Sequence, residues 1–304
     1  MKKFFLLFLI TIFSSYASAN TTRIIVSYPP GGASDAIARL IQSKLNEQGE
    51  TVIVINMPSG QGVVAVNEVY NAIPDGNTIL FSGSGPILFK PYDNIEQANK
   101  VSKLTPLIHV SAMPSVIIAG KKSGITSWKQ LQEEIKRRYI NIGISSSAGG
   151  GIIDVTLNNP NVKKILFNGD APAILATISD TVDVSIVSYS SAVSQIESGN
   201  VVALALTDNS YPDDPNNIKT LKQLGTNFNF SIFYGMFLPP DTPPKIQDAL
   251  YKKINAILSS PEAKKLYKSR QITLPDATNY NEFSKLLFLE NKKWSTILQV
   301  THDK

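Results

Sequence analysis

The chain is organised around one turn between a strand and a helix, Tyr28-Pro29-Pro30-Gly31-Gly32-Ala33-Ser34-Asp35. The apolar run at 24–26 before it is typical of a buried strand, and a helical pattern of apolar residues follows from Ile37 to Leu45. Two prolines stiffen the turn, and its glycines allow the backbone to come close to a ligand. The helix start presents free N–H groups at the positive end of the helix dipole, so the turn is a potential anion site. Because the turn contains no Lys or Arg, we expect the backbone to hold the anion.

The first 19 residues have the pattern of a secretory signal peptide. Lys2 and Lys3 form a basic start, Phe4 to Phe13 form an apolar core, and Ala17-Ser18-Ala19 is a small-residue cleavage site. The apolar run is about half of the ~20 residues that a membrane-spanning helix needs. We therefore expect residues 1–19 to be removed, and we expect a periplasmic protein that begins at Asn20.

The composition excludes several classes of protein. The formal charge of +5 is scattered along the chain, so no basic stripe for nucleic acid is present. The absence of Cys excludes disulfides and thiolate chemistry, and the two histidines, His109 and His302, are too few for a histidine-rich metal site. We expect neither a cofactor nor a bound metal. A chain of 304 residues is long enough for two domains.

Two α/β series follow each other along the chain. The first alternates strands and helices between residues 24 and 81, which predicts a doubly wound parallel sheet, and the second does so between 141 and 206. We expect residues 20–112 and 235–304 to form one lobe and residues 113–234 to form a second. Ligands of open α/β sheets bind beyond the carboxyl ends of the strands, so a cleft between the lobes is the expected site.

Short motifs recur in a specific order and spacing along nearly the whole mature chain. They are Tyr28–Gly32 with Asp35, Ala38 and Arg39; Asn56–Pro58 with Gly60 and Gly62; Pro74–Thr78; Ser82-Gly83; Asn168-Gly169 with Pro172-Ala173; Val182-Asp183; Pro239–Pro243; Glu282-Phe283; and Trp294. With these motifs the chain resembles the Bug-type extracytoplasmic binding proteins of tripartite tricarboxylate transporters. The resemblance implies a periplasmic binding protein fold, type II-like, with two α/β lobes. It also implies that loop backbone groups and ordered waters, not an arginine, hold the carboxylate of the ligand.

One segment departs from the family pattern. In the family, the Gly/Ser-rich loop of the second lobe is followed by a longer helix with a His in its first turn. Here Gly149-Gly150-Gly151-Ile152 leads into a short segment that ends at Asn158-Asn159-Pro160. The shape of one cleft wall therefore differs from the family pattern, and the sequence does not name the ligand.

Four Gly/Ser-rich loops, each after a predicted strand, are the candidate ligand-binding segments. The alternative interpretations are ordinary turns or flexible linkers. The candidate residues are Tyr28, Pro30, Gly31, Gly32, Ala33, Ser34, Ser82, Gly83, Ser84, Gly85, Ser145, Ser146, Ser147, Ala148, Gly149, Asn168, Gly169 and Ala171. A positive φ at Gly32, with its N–H facing the carboxylate, would make that position intolerant of a side chain.

Two carboxylates have more than one interpretation. Asp35 is predicted to be the N-cap of its helix, because Asp is a favoured cap and would repel a carboxylate ligand. Asp183 lies in the middle of a predicted strand and needs a partner there. The partner is either a set of loop N–H groups or an ammonium or hydroxyl group of the ligand, so Asp183 is also a candidate ligand-binding residue.

We expect a receptor that captures a small carboxylate and delivers it to membrane permease subunits, as a monomer without nucleic acid and without stable membrane insertion. The alternatives are an exported sensor that feeds a signalling receptor, and a serine hydrolase that uses Ser84 and a histidine.

The segment Gly60–Ala65 imitates a dinucleotide-binding fingerprint, but it follows the second strand and lacks the acidic strand end expected ~20 residues later.

Overall fold

The computed structural model describes residues 21–89, 91, 94–208, 216–270, 272–273 and 279–302, without the side chains of 293 and 296–302. The predicted signal peptide, residues 1–19, lies outside these ranges. Within them the chain has nine strands. They are β1 (Thr22–Val26), β2 (Val52–Asn56), β3 (Thr78–Gly83), β4 (Thr105–Gly120), β5 (Ile140–Ile144), β6 (Val162–Leu166), β7 (Val184–Ser188), β8 (Val201–Leu206) and β9 (Ser231–Leu238).

The strands form two sheets that share β4. The sheet of the first lobe has the order β2-β1-β3-β9-β4, in which β1 is parallel to β2 and β3, and β9 is antiparallel to β3 and β4. In the second lobe β5 is parallel to β6 and β7, and β4 is antiparallel to β7 and β8. The architecture is therefore a mixed α/β fold with two lobes.

The chain crosses between the lobes at two adjacent points. The first part of β4 pairs with β9 up to Pro114, whose register partner is Ser231, and the pairing with β7 begins at Ser115. Ser115 also bonds to the end of β8: its N–H donates to Thr207 Oγ1 and its carbonyl accepts from the Thr207 N–H, each at 2.9 Å. One continuous strand therefore ties the two sheets together.

The predicted parallel sheet is correct for β1, β2 and β3, but the lobes also contain antiparallel strands that the pattern did not predict. β4 spans Thr105–Gly120, whereas the apolar run that indicates a strand in the sequence covers only residues 116–119. His109 and Ser111 interrupt the apolar pattern of its first part although both are buried. Periodicity therefore underestimated the length of this strand.

Helices cover both sheets. Among the described residues they are α1 (Ala33–Glu47), α2 (Val63–Tyr70), α3 (Ile95–Lys103), α4 (Trp128–Glu134), α5 (Ser147–Thr156), α6 (Asp170–Ile178), α7 (Tyr189–Glu197), α8 (Pro244–Leu258), α9 (Pro261–Ser269) and α10 (Tyr280–His302). α1 buries the predicted face, with Ile37, Ile41 and Leu45 almost fully inaccessible. Each such side chain contributes about 1.5–3 kcal/mol to folding. In the described ranges, no helix has both the length and the apolar character required to cross a membrane.

Candidate ligand-binding cleft

A cleft of about 880 Å³ lies between the two lobes. On the side of the first sheet, which includes β9 from Ser231 and not only from the expected residue 235, it is lined by Tyr28–Ser34, Gly85, Ile232, Tyr234 and Arg270. From the second lobe it is lined by Ser145, Ser146, Ala148, Asn168–Pro172, Ile174, Leu175, Ile178, Ser188, Ser190, Ser191, Ser194 and Gln195. Its volume matches that of a site for a small molecule.

The turn before α1 forms the first-lobe wall of the cleft. Gly31 has φ +89°, and Gly32 is the N-cap of α1 with an ordinary φ of −76°. The left-handed position is therefore Gly31 and not Gly32. Ala33 and Ser34 are the first two helical residues, so their N–H groups have no carbonyl one turn earlier to bond to.

Asp35 stabilises this turn by hydrogen bonds and does not line the cleft. The prediction that Asp35 is the N-cap is wrong in position, because Gly32 is the N-cap and Asp35 is the third helical residue. Its Oδ2 accepts hydrogen bonds from the Gly31 N–H and from Arg39 Nε, both at 2.9 Å, and its Oδ1 accepts from Asn56 Nδ2 at 3.0 Å. Burial alone would raise the pKa of Asp35, but these hydrogen bonds outweigh it and keep the pKa below its usual value. The carboxylate stays ionised and fixes the shape of the turn.

Three helices of the second lobe also begin at the cleft. Their N-cap residues are Ser146 for α5, Gly169 for α6 and Ser188 for α7, and all three line the cleft. Together with α1, four helix N-termini therefore meet around one cavity. Each N-terminus carries about half a positive charge, so their sum favours an anion.

At one of the four N-termini lies a carboxylate side chain of the protein itself. Asp170 is the first residue of α6 and lines the cleft. Its Oδ2 accepts hydrogen bonds from the Ser188 hydroxyl and, at 3.4 Å, from the Ser188 N–H. Ser188 Oγ lies in turn 2.9 Å from Ser191 Oγ. The cleft therefore contains a negative charge between α6 and α7, opposite in sign to the field of the α1 and α5 N-termini.

Two tyrosines form the floor of the cleft. The rings of Tyr28 and Tyr234 pack edge to face, with centroids 5.2 Å apart. Burial raises the pKa of both phenols, and the charge of Asp170 raises them further. Their hydroxyls are therefore neutral hydrogen-bond donors at physiological pH. A Cβ at Gly83 would lie 2.5 Å from the Phe233 carbonyl oxygen and 2.7 Å from the Tyr28 hydroxyl, so a glycine is required at this position of β3.

The remaining walls differ in polarity. Ile174, Leu175 and Ile178 of α6 give an apolar surface, and the Leu175 side chain is 64% exposed. Arg270, which follows α9, is exposed and lines the first-lobe side. It forms no ion pair within the part of the chain that the structure describes. The cleft can therefore hold a hydrocarbon segment and has an exposed guanidinium at its edge.

Most of the predicted ligand-binding residues line this cleft. They are Tyr28, Pro30, Gly31, Gly32, Ala33, Ser34, Gly85, Ser145, Ser146, Ala148, Asn168, Gly169 and Ala171. The structure thus brings all four predicted segments to one cavity. That these residues touch a ligand stays a prediction.

Three predicted residues do not line the cleft because β3 is longer than expected. β3 includes Ser82 and Gly83, and Ser84 follows it directly, so this segment is not an open loop. Both hydroxyls are buried: Ser27 donates to Ser82 Oγ, and the Phe233 N–H donates to Ser84 Oγ, each at 2.9 Å. These serines hold β3 in place, and neither hydroxyl is exposed to the cavity.

Ser147 and Gly149 lie outside the cleft lining for a similar reason. The predicted loop 145–151 is helical from Ser147 onward, since α5 begins there. The glycines allow α5 to approach its neighbours closely: a Cβ at Gly151 would lie 2.4 Å from the Phe89 ring, and one at Gly149 would lie 3.1 Å from Ile186 Cγ2. The glycine run therefore serves helix packing and is not a flexible linker.

Asp183 also lies outside the cleft lining. Its Oδ1 accepts a hydrogen bond from Arg138 Nη1 at 2.7 Å, and its Oδ2 accepts from the Asn141 N–H at 2.9 Å. Both carboxylate oxygens are thus engaged within the second lobe. The structure favours the first of the two interpretations, in which Asp183 bonds to protein groups.

Sequence reasoning missed several lining residues. Asp170 lies inside the recognised motif Asn168-Gly169 with Pro172-Ala173. A charged residue in this Gly-containing loop was the signal that could have identified it as a lining residue. Tyr234 lies in an apolar strand and Arg270 at a helix end, where no local pattern indicates a site. The serines that start α7, Ser188 to Ser191, resembled an ordinary helix start.

Comparisons with known proteins identify the family and the fold of the chain. A protein of Bordetella pertussis described as a UPF0065 protein is 30% identical over 253 residues, which cover 78% of this chain and 75% of that protein. The periplasmic binding protein BugD superposes with a TM-score of 0.78 and 25% identity, over 93% of this chain and 97% of that one. MatC of Rhodopseudomonas palustris with bound malate superposes with a TM-score of 0.81 and 21% identity, over 91% and 98%.

The family model described as "Tripartite tricarboxylate transporter family receptor" matches residues 37–302. This match includes most of α1, the whole second lobe and the helices up to α10. The resemblance read from the short motifs is therefore confirmed, and so is the expected periplasmic binding protein fold. The chain belongs to the receptor family of the tripartite tricarboxylate transporters.

Proposed function

We propose that the protein is a periplasmic receptor that binds a small carboxylate in the cleft between its lobes and delivers it to the membrane subunits of a tripartite tricarboxylate transporter. The observation that carries the proposal is the meeting of helix N-termini at the cleft, above all that of α1 behind the Gly31–Ser34 turn. The family is one of solute-binding receptors and not of enzymes.

The energetics of such a site are sufficient without a cation in the turns. A partly buried helix N-terminus contributes up to about 2 kcal/mol to anion binding, and a hydrogen bond to a charged group contributes about 1.5–3 kcal/mol. Two such N-termini and three N–H bonds together give up to about 13 kcal/mol, which is more than the roughly 8 kcal/mol of micromolar affinity before the costs of ordering are subtracted. MatC has the same fold and binds malate, which supports a small carboxylate as the ligand of this protein.

A variant that introduces a negative charge tests the proposal. Ala33→Asp adds a carboxylate to the first turn of α1 inside the cleft, and Ala98→Asp makes the same change in the first turn of α3 outside it. Small mono-, di- and tricarboxylates are screened by thermal shift, and titration calorimetry follows. We expect at least one carboxylate to bind the wild type and Ala98→Asp, and to bind Ala33→Asp at least tenfold more weakly. The proposal fails if no carboxylate in the panel binds the wild type.

Export through residues 1–19 is part of the proposal. N-terminal sequencing of the protein from periplasmic extract is expected to give Asn20 as the first residue. A protein that stays in the membrane fraction with Met1 retained would contradict this localisation.

A further inference from the structure

The cleft has two charged side chains of opposite sign among its described lining residues. They are Asp170 at the start of α6 and Arg270 after α9. Neither forms an ion pair within the described part of the chain, so the two charges do not neutralise each other directly. A ligand that carried only carboxylates would gain from the helix N-termini but would be repelled by Asp170.

The surroundings of Asp170 leave it one oxygen for a ligand. Oδ2 is held by the Ser188 hydroxyl and N–H, which fixes the orientation of the carboxylate. Oδ1 accepts no hydrogen bond from the described residues. Asp170 lines the cavity, and a carboxylate that is oriented through one oxygen and has no described donor at the other is suited to receive a donor there.

The neighbours of Asp170 make a cation the best donor. Tyr28 and Tyr234 interact electrostatically with Asp170, and their phenols stay protonated because burial raises both pKa values. Among the described residues, none gives Asp170 a cationic partner. A ligand ammonium group would supply the missing positive charge, and a charge-assisted hydrogen bond is about twice as strong as a neutral one.

We propose that Asp170 selects for ligands that carry an ammonium group beside a carboxylate, so that the protein is a receptor for a small amino acid. The carboxylate of the ligand lies at the N-termini of α1 and α5, and the ammonium group lies at Oδ1 of Asp170. This inference rests on the proposed function, because it assumes that a carboxylate binds in the cleft. It adds the chemical class of the ligand and the residue that determines it.

Matched pairs of probes test the proposal by titration calorimetry on the purified protein. Each pair shares a carbon skeleton and differs in the ammonium group: propionate and L-alanine, succinate and L-aspartate, and glutarate and L-glutamate. The variants are Asp170→Asn, which keeps the shape of the side chain, and Glu197→Gln, which removes one exposed negative charge at the far end of α7. Circular dichroism of each variant checks that it is folded.

In at least one pair, we expect the amino acid to bind the wild type at least tenfold more tightly than its partner. Asp170→Asn should reduce that ratio at least tenfold, while Glu197→Gln should leave it within twofold. The inference is overturned if the plain carboxylate binds more tightly in each pair that binds, if the ratio survives Asp170→Asn, or if none of the six probes binds. In these cases the proposed function still stands as long as another carboxylate binds.

Discussion

Asp183 Oδ1 accepts a hydrogen bond from Arg138 Nη1 at 2.7 Å, and this pair joins the segment between α4 and β5 to the residue just before β7. The other carboxylate oxygen caps the Asn141 N–H in β5. Asp183 therefore acts as a structural tie within the second lobe, although its position in the sequence also suited a ligand contact.

We expect Asp183→Ala to lower the free energy of unfolding by about 1–3 kcal/mol, because the Asn141 N–H and Arg138 lose their shared acceptor. The affinity for the best carboxylate should stay within twofold, since the residue does not line the cleft. Urea unfolding and calorimetric titration of the same preparation measure the two effects. A normal stability combined with lost affinity would place Asp183 in the site after all.

The left-handed glycine of the first turn gives a second prediction. Gly31→Ala places a side chain at φ +89°, which costs about 1–2 kcal/mol and should lower the melting temperature by about 2–6 °C. The affinity for a carboxylate should fall as well, because the Gly31 N–H bond to Asp35 sets the shape of the turn.

The matched control is Gly32→Ala. Gly32 has an ordinary φ, and the nearest atom to an added Cβ is the Pro29 carbonyl oxygen at 4.0 Å. Ala is a poorer N-cap than Gly, so the melting temperature should fall by about 1–2 °C, less than in Gly31→Ala. If Gly32→Ala is the more damaging of the two in differential scanning fluorimetry, the assignment of the strained position is wrong.

The buried His109 makes stability depend on pH. Burial lowers the pKa of His109 to about 4, below the ordinary value near 6.5. Between these values the unfolded chain binds a proton that the folded protein excludes, so stability falls as the pH falls from 6.5 towards 4. The slope is about 1.4 kcal/mol per pH unit.

His109→Gln removes this titration, and urea unfolding at pH 7 and pH 5 is the measurement. From about pH 7 to about pH 5, the wild type should lose about 2 kcal/mol more stability than His109→Gln. His302→Gln is the control and should follow the wild type. Equal losses of unfolding free energy in the wild type and His109→Gln would mean that the buried imidazole does not cause the loss of stability at low pH.

Two arginines near the cleft are expected to behave differently. Arg270 lines the cleft, whereas Arg39 donates to Asp35 outside it. If the ligand carries a second anionic group, Arg270→Ala should weaken binding about three- to tenfold, with a smaller loss at high salt because salt screens an exposed charge. Arg39→Ala should weaken binding less than threefold. The reverse order of the two affinities in calorimetry would place recognition at Arg39.

The fold was predictable from the sequence where each element has a local pattern. The turn at Tyr28–Asp35 follows an apolar strand and precedes a periodic helix, and both elements formed as expected. Ser127 with Gln130 three residues later has the sequence pattern of a helix start, and the Ser127 hydroxyl accepts from the Gln130 N–H at the start of α4. Such signals act over a few residues, so the sequence alone reveals them.

Features that depend on distant partners were less predictable. The glycines before Ile152 were predicted to form a loop, but they belong to α5. Gly151 leaves room for the Phe89 ring and Gly149 for Ile186, and both partners lie far away in sequence. Tyr234 and Arg270 reach the cleft only because β9 and α9 return to the first lobe. The positions of these residues follow from tertiary packing, which no short pattern encodes.

The pairing of Pro114 with Ser231 has a further consequence. The chain leaves the first sheet at one of these residues and re-enters it at the other, so the segment between them is a cassette whose two ends meet. Segments with adjacent ends are the ones that tolerate insertion and exchange. Recombination at these two points would replace Asp170 and the α5 to α7 wall together and leave the α1 turn and its sheet intact. The second-lobe wall of the cleft could thus change its chemistry during evolution while the turn before α1 keeps the proposed carboxylate site.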